Sequence, residues 1–189
     1  MRAGRIPALG AGAGSGAGSG LGSEFEIRPF EPDDAAEVTG LVHRAYAELG
    51  AQGLNFTAVD QDVATTLRRA SAGASWVLLS GGRIVATGTL SLPPENALWE
   101  LTPQARLPGR AWLNQLAVDP DHRGRGLARL LRDECFAWAG RAGATSIGLD
   151  TAQPADHLVR LYTGWGFEHR DVIQWPGKTY RSVVMTRSL

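Results

Sequence analysis

The residues best placed to do chemistry lie in one run, Val118-Asp119-Pro120-Asp121-His122-Arg123-Gly124-Arg125-Gly126-Leu127-Ala128. An apolar strand leads into a turn, and the turn passes through two glycines and two arginines into an amphipathic helix. The first N–H groups of a helix have no intrahelical partner, and the helix dipole favours an anion beside them. Glycine lets the backbone approach that anion closely, and arginine adds charge-assisted hydrogen bonds. This construction suits a phosphate-bearing ligand.

A second segment follows downstream, Leu161-Tyr162-Thr163-Gly164-Trp165-Gly166-Phe167. Arg123 to Ala128 fits the pattern Arg/Gln-x-x-Gly-x-Gly/Ala, and the later segment fits Leu-Tyr-x-x-x-Gly-Phe. Together with the strand Leu116-Ala117-Val118-Asp119-Pro120, these residues resemble the GNAT N-acetyltransferase superfamily, in that family's order and at its usual separation. The resemblance spans residues 24–189. It implies acetyl-CoA as cosubstrate, its pyrophosphate cradled by the amides of Gly124, Arg125, Gly126, Leu127 and Ala128, with Arg123 and Arg125 near phosphates. It implies that Leu116, Ala117 and Val118 sit on a strand separated from its neighbour. There the free backbone groups pair with the pantetheine arm, and the Leu116 amide supports the developing oxyanion. Tyr162 takes the role of general acid. A phenol of ordinary pKa about 10 holds its proton at neutral pH and can deliver it to the departing thiolate.

The chain departs from the family pattern in two places. Trp112 and Asn114 stand where many members carry a glutamate base, and neither takes a proton. Glu100 and Asp150 are the nearby acids, each read as a solvated surface carboxylate, so the base is unassigned. Ala155 stands where an asparagine often reaches the pantetheine. Asp156 after it reads as a helix cap and His157 as a solvated helix histidine.

Other constellations fail on spacing. The glycines from 4 to 22 all occupy even positions, which excludes Gly-x-Gly-x-x-Gly, and Val172 stands where Gly177-Lys178-Thr179 would need a glycine to form a phosphate loop. His43, His122, His157 and His169 show no metal-ligand spacing, so no metal is expected. Cys135 lies on an apolar helical stripe and reads as a small hydrophobe. As the only cysteine it excludes an intrachain disulfide and fits a reducing, cytoplasmic setting. The formal net charge of zero gives no basic surface for nucleic acid, and no apolar run spans a bilayer. Arginine in place of all but one lysine, beside abundant alanine and glycine, suggests a GC-rich bacterial genome.

The elements that must position these residues follow from periodicity. Residues 1–23 read as a flexible Gly/Ala/Ser-rich leader or a linker left by cloning, and 24–189 as one domain. Phe25 to Phe30 is a strand. A helix begins at Pro32-Asp33-Asp34, carries Val38, Leu41, Val42, Ala45, Tyr46 and Leu49 on one stripe, and stops at Gly50. A second helix is capped by Asp60 and carries Val63 and Leu67. Trp76 to Leu79 and Arg83 to Leu90 form a hairpin across Gly81-Gly82. Residues 93–110 read as a long loop, Ala111 to Val118 as the strand before the turn, and the next helix carries Leu127, Leu131, Cys135 and Trp138. A strand at Ser146 to Leu149, a helix from about Asp156 to Trp165, and strands at Val172 to Trp175 and Tyr180 to Met185 complete the chain. The loop between the last two is read equally as an aromatic hairpin and as an acceptor contact.

The expected class is therefore α/β (α+β), a GNAT-like fold. Its mixed, mostly antiparallel sheet has about six to seven strands with helices on both faces. The expected activity is acetyl transfer from acetyl-CoA to a primary amine of a small molecule or peptide, by direct attack in a ternary complex. The loop at Asn55-Phe56, residues 93–110 and residues 176–179 are expected to shape the acceptor pocket. A non-catalytic acyl-CoA sensor and an aminoglycoside-type acetyltransferase are the alternatives. A homodimer is open.

Overall fold

The computed structural model describes residues 24–189; the leader expected at 1–23 lies outside the described residues. Seven strands form one sheet in the order β1-β2-β3-β4-β5-β7-β6. They are β1 (Phe25–Pro29), β2 (Ala74–Ser80), β3 (Arg83–Ser91), β4 (Arg110–Val118), β5 (Ser146–Ala152), β6 (Glu168–Ile173) and β7 (Ser182–Ser188). Only β4 and β5 run parallel; every other neighbouring pair is antiparallel. The helices are α1 (Ala35–Ala51), α2 (Thr57–Asp60), α3 (Val63–Ser71), α4 (Asn96–Leu101), α5 (Leu127–Arg141) and α6 (Asp156–Gly164). This is the expected fold, with helices on both faces of an open mixed sheet.

The continuous apolar run of β2 is what a strand covered on both faces requires. Trp76 and Leu78 join Leu131, Cys135 and Ala139 of α5 in one core, and Val77 joins Val38, Leu41, Val42 and Ala45 of α1 in a second. Helix α1 does not stop at Gly50. It continues to Ala51, and Gly53 at φ +80° turns the chain. Gly50 serves close approach instead, since a Cβ there would meet Val59 Cγ1 at 2.9 Å.

The second helix begins later than expected. Its cap is Asp62, whose carboxylate accepts from the Thr65 amide at 2.7 Å, while Asp60 ends α2. Val63 and Leu67 face solvent at 45% and 36% exposure, and Thr66 and Ala70 are buried. The reason is a polar contact under α1, where the Thr66 hydroxyl meets those of Thr39 at 2.7 Å and the Gln61 amide at 2.7 Å. Residues 93–110 contain α4 and a 3-10 turn at Pro103–Arg106, pinned by buried Leu98 and Ala105. Strand β6 starts at Glu168, earlier than expected, because this edge strand is mostly polar and lacks the apolar signature.

Arg28 ties β1 to the start of α1. Its guanidinium donates to both Asp34 oxygens at 2.7 Å, and the Glu31 amide donates to Asp34 at 2.8 Å. The Arg28 hydrogen bonds hold the Asp34 carboxyl below its ordinary pKa. A depressed folded-state pKa stabilises the fold above the unfolded value and ceases to do so as pH falls through the folded one. Asp34→Asn is expected to cost about 1–2 kcal/mol at neutral pH, with the loss vanishing in acid below the folded pKa. Urea denaturation of both proteins at the two pH values checks this.

Candidate active site

Strands β4 and β5 pair only from Arg110–Ser146 to Leu113–Leu149 and then part. Beyond that point Asp150 to Ala152 continue on β7, and Gln115 to Val118 continue on β3. Asn114 is the extra residue of a bulge on β4, since Thr89 pairs with Gln115 and Leu90 with Leu113. The Asp119 amide donates to Val85 on the β3 side at 2.9 Å. Alternation along a strand then turns the N–H and C=O of Leu116 and Val118 toward the opposite, unpaired edge. The Leu116 carbonyl accepts the Tyr46 hydroxyl at 3.1 Å. Sequence alone carried no signal for where this separation falls; it begins at the Asn114 bulge, beyond which β4 keeps only β3 and β5 keeps only β7.

At the end of β4 the glycine turn opens onto the same edge. Gly124 and Gly126 hold φ of +75° and +81°, and a Cβ at either would meet nothing within 4 Å. Gly126 is the cap residue of α5 and supplies no side chain to its first turn. Among the described residues, none of the five amides from Gly124 to Ala128 has a hydrogen-bond acceptor. Leu116, Ala117, Val118, Arg123, Gly124 and Ala128 line a cleft of about 330 Å³ that begins here. Arg123 donates to the Ala45 carbonyl at 2.8 Å and lies 3.6 Å from Glu48. The side chain of Arg125 turns away from the cleft, to Glu24 and the face of Phe25.

Tyr162 stands at the far end of this cleft on α6. Its ring packs edge-on against Trp165 at 5.6 Å and Phe167 at 6.1 Å, and its hydroxyl bonds to none of the described residues. Burial, with Tyr46 and Asp150 nearby, raises its pKa. Ala155 caps α6 without a side-chain bond, so Asp156 is not the cap; it is the first helical residue. His157 is solvent-exposed and also lines the cleft. Cys135 is buried, and burial pushes its thiol up to about 12, so it stays protonated among apolar neighbours.

A second cavity, of about 490 Å³, lies on the other side of Tyr162. The two share Tyr46, Leu116, Leu158 and Tyr162. Phe56, Pro93, Leu98 and Pro176 line it, from the three segments expected to do so. The loop after α1 and the loop before β7 are stitched together: Asn55 donates to the Gly177 carbonyl at 2.9 Å and accepts from the Thr179 amide at 2.9 Å. The 174–181 connection is therefore a cavity wall rather than a tight hairpin.

Asp150 corrects the sequence reading most sharply. It is no solvated surface carboxylate; it lines the cavity where β4 and β5 divide. The indole of Trp112 donates to one oxygen at 3.3 Å and that of Trp175 to the other at 2.8 Å. Trp112 is directed there because its ring lies over Gly148, where a Cβ would fall 2.3 Å from it. Burial raises the Asp150 pKa against the opposing pull of these donors. Glu100 is exposed and outside the cavity, as expected. Arg69 of α3 and Lys178 also line the cavity; Lys178 lies in the loop read as a possible acceptor contact, whereas Arg69 was not legible as a site residue. Among the described residues no group of three His, Cys, Asp or Glu side chains converges as a metal site, and no helix is long and apolar enough to cross a membrane.

Comparison with known proteins bears on the family and the fold. The family model described as the acetyltransferase (GNAT) family matches residues 39–167. The chain is 28% identical over 158 residues to a Bacillus subtilis protein named S-(2-succino)cysteine N-acetyltransferase, covering 82% of this chain and 91% of that one. Ard1 from Thermoplasma volcanium superposes with a TM-score of 0.68 at 18% identity, over 88% of this chain and 98% of that one. YncA from Salmonella typhimurium, solved with its cofactor acetyl-CoA, superposes with a TM-score of 0.65 at 17% identity, over 88% and 95%.

Proposed function

The chain belongs to the acetyltransferase (GNAT) family, and on that premise we propose that it transfers an acetyl group from acetyl-CoA to a primary amine of a small molecule or peptide, in one ternary complex. The observation that carries this reading is the row of five unpartnered amides from Gly124 to Ala128, opening onto a cleft that ends at Tyr162. An unpartnered helix N-terminus binds a pyrophosphate well. Arg123 adds charge beside it, and Arg125 contributes its amide rather than its guanidinium. The free edge at Leu116 and Val118 suits an extended amide-bearing arm, and the Leu116 amide the oxyanion.

The two cavities then divide the labour. The narrower one takes the cofactor, the larger one the amine, and their shared wall at Leu116 and Tyr162 is where the carbonyl is attacked. The amine nitrogen forms the new C–N bond, and the C–S bond breaks. Tyr162 gives its proton to the departing sulfur. Asp150 takes the proton released by the amine, directly or through one water, because a carboxylate with a raised pKa is a stronger base near neutral pH. A cytoplasmic setting goes with that cosubstrate.

Calorimetric titration of the protein with acetyl-CoA tests the cofactor site. Micromolar binding is expected, weakened about 10-fold or more in Arg123→Glu by charge reversal beside the phosphates. No heat of binding to the unaltered protein would remove the basis for this site.

A further inference from the structure

Building on the acetyl-transfer reading, we infer that the acceptor amine carries a carboxylate, as an α-amino acid does, and that Arg69 and Lys178 hold it. Arg69 reaches the larger cavity from α3, where its Nη2 donates to the Asn114 carbonyl at 3.1 Å. Its Nε is buried with no hydrogen-bond partner. Lys178 enters from the loop before β7, its Nζ donating to the Asn55 carbonyl at 2.6 Å and to Thr57 Oγ1 at 3.1 Å. An ammonium has three protons, so one is free. Among the described residues no carboxylate lies within ion-pairing distance of either cation.

A buried guanidinium nitrogen without an acceptor is costly, and such groups are normally satisfied by an anion, a water or a ligand. Burial and the proximity of Arg69 both lower the Lys178 pKa, with Asp60 opposing them in part. A carboxylate placed there would pair with the Arg69 guanidinium, accept the free Lys178 proton and relieve that repulsion. It would also raise the Asp150 pKa further and so strengthen the base.

Arg69 holds β4 at the Asn114 bulge, two residues before Leu116, so a carboxylate bound there lies close to the edge proposed to receive the acyl group. A polycationic acceptor, by contrast, would meet two cations and only two carboxylates, Asp150 and the exposed Glu95 at the rim.

The test is thiol release from acetyl-CoA with a panel of L-amino acids, each beside its carboxamide and its decarboxylated amine. The carboxylate form is expected to have a kcat/KM about 10- to 100-fold higher, mostly through KM. That ratio should shrink toward one in Arg69→Met and again in Lys178→Met. The second variant lies in a loop and leaves the β4 bulge intact. Equal or faster turnover of the uncharged amines, or a ratio that survives both variants, overturns the carboxylate assignment and leaves acetyl transfer standing. Failure of every amine while acetyl-CoA still binds overturns the transfer reading and this one with it.

Discussion

Tyr162→Phe is expected to lower kcat by about 10²- to 10⁴-fold while leaving the Kd for acetyl-CoA nearly unchanged. The substitution removes one oxygen and keeps the ring, so the edge-on packing against Trp165 and Phe167 survives. No hydrogen bond to the described residues is lost, because the hydroxyl makes none. What disappears, on the proposed mechanism, is the proton for the leaving sulfur. A thiolate is a tolerable leaving group, which is why the loss is not larger, but in an enclosed site it cannot be solvated as it is in water. Burial raises the Tyr162 pKa, and an acid must be protonated to act, so this group should cause no fall in rate across the neutral range. Single-turnover kinetics with a good amine acceptor, together with calorimetry, separate the two effects. A variant with full turnover would show that another group, or water, protonates the sulfur.

Asp150→Asn should cost about 10²-fold or more in kcat/KM and change the shape of the pH profile. A base must be ionised to act, and a raised pKa moves the rising limb of activity above the ordinary carboxylate range. In the unaltered protein, kcat/KM is therefore expected to climb with pH through the raised Asp150 pKa. In Asp150→Asn that limb should be gone, leaving a low rate set by the fraction of acceptor amine already deprotonated. The limb distinguishes proton transfer from a positional role, because asparagine also disturbs the two indoles. One carboxamide oxygen can accept from Trp112 or from Trp175, and its NH₂ would then oppose the other N–H. A rate that falls while the limb persists would make Asp150 a positioning residue for Trp112 and Trp175 and not the base.

Sequence reading and structure agree where the information is local. The turn from Arg123 to Ala128 was legible because each property it needs belongs to contiguous residues. Glycine provides positive φ at 124 and 126, and the helix start exposes its amides. Tyr162 was legible for the same reason, as part of one helix end with a fixed glycine and phenylalanine behind it. The errors fell where long-range packing decides. Val63 and Leu67 look like a buried stripe, yet a polar contact of Thr66 with Thr39 and Gln61 turns α3 the other way. Asp150 looked solvated because nothing adjacent in the chain covers it. Its cover comes from Trp112 and Trp175, 38 and 25 residues away.

By itself, then, the amino-acid order determined the family, the strand succession, the glycine turn into α5 and the place of the tyrosine near the end of α6, all of which rest on short-range backbone and side-chain preferences. Only the tertiary structure decided where β4 leaves β5, which carboxylate lines the larger cavity, and that Arg69 and Lys178 line it too. Those outcomes depend on which surfaces are buried together when α1, α3, β5 and the loop before β7 close on one another, and no single stretch of chain encodes that choice.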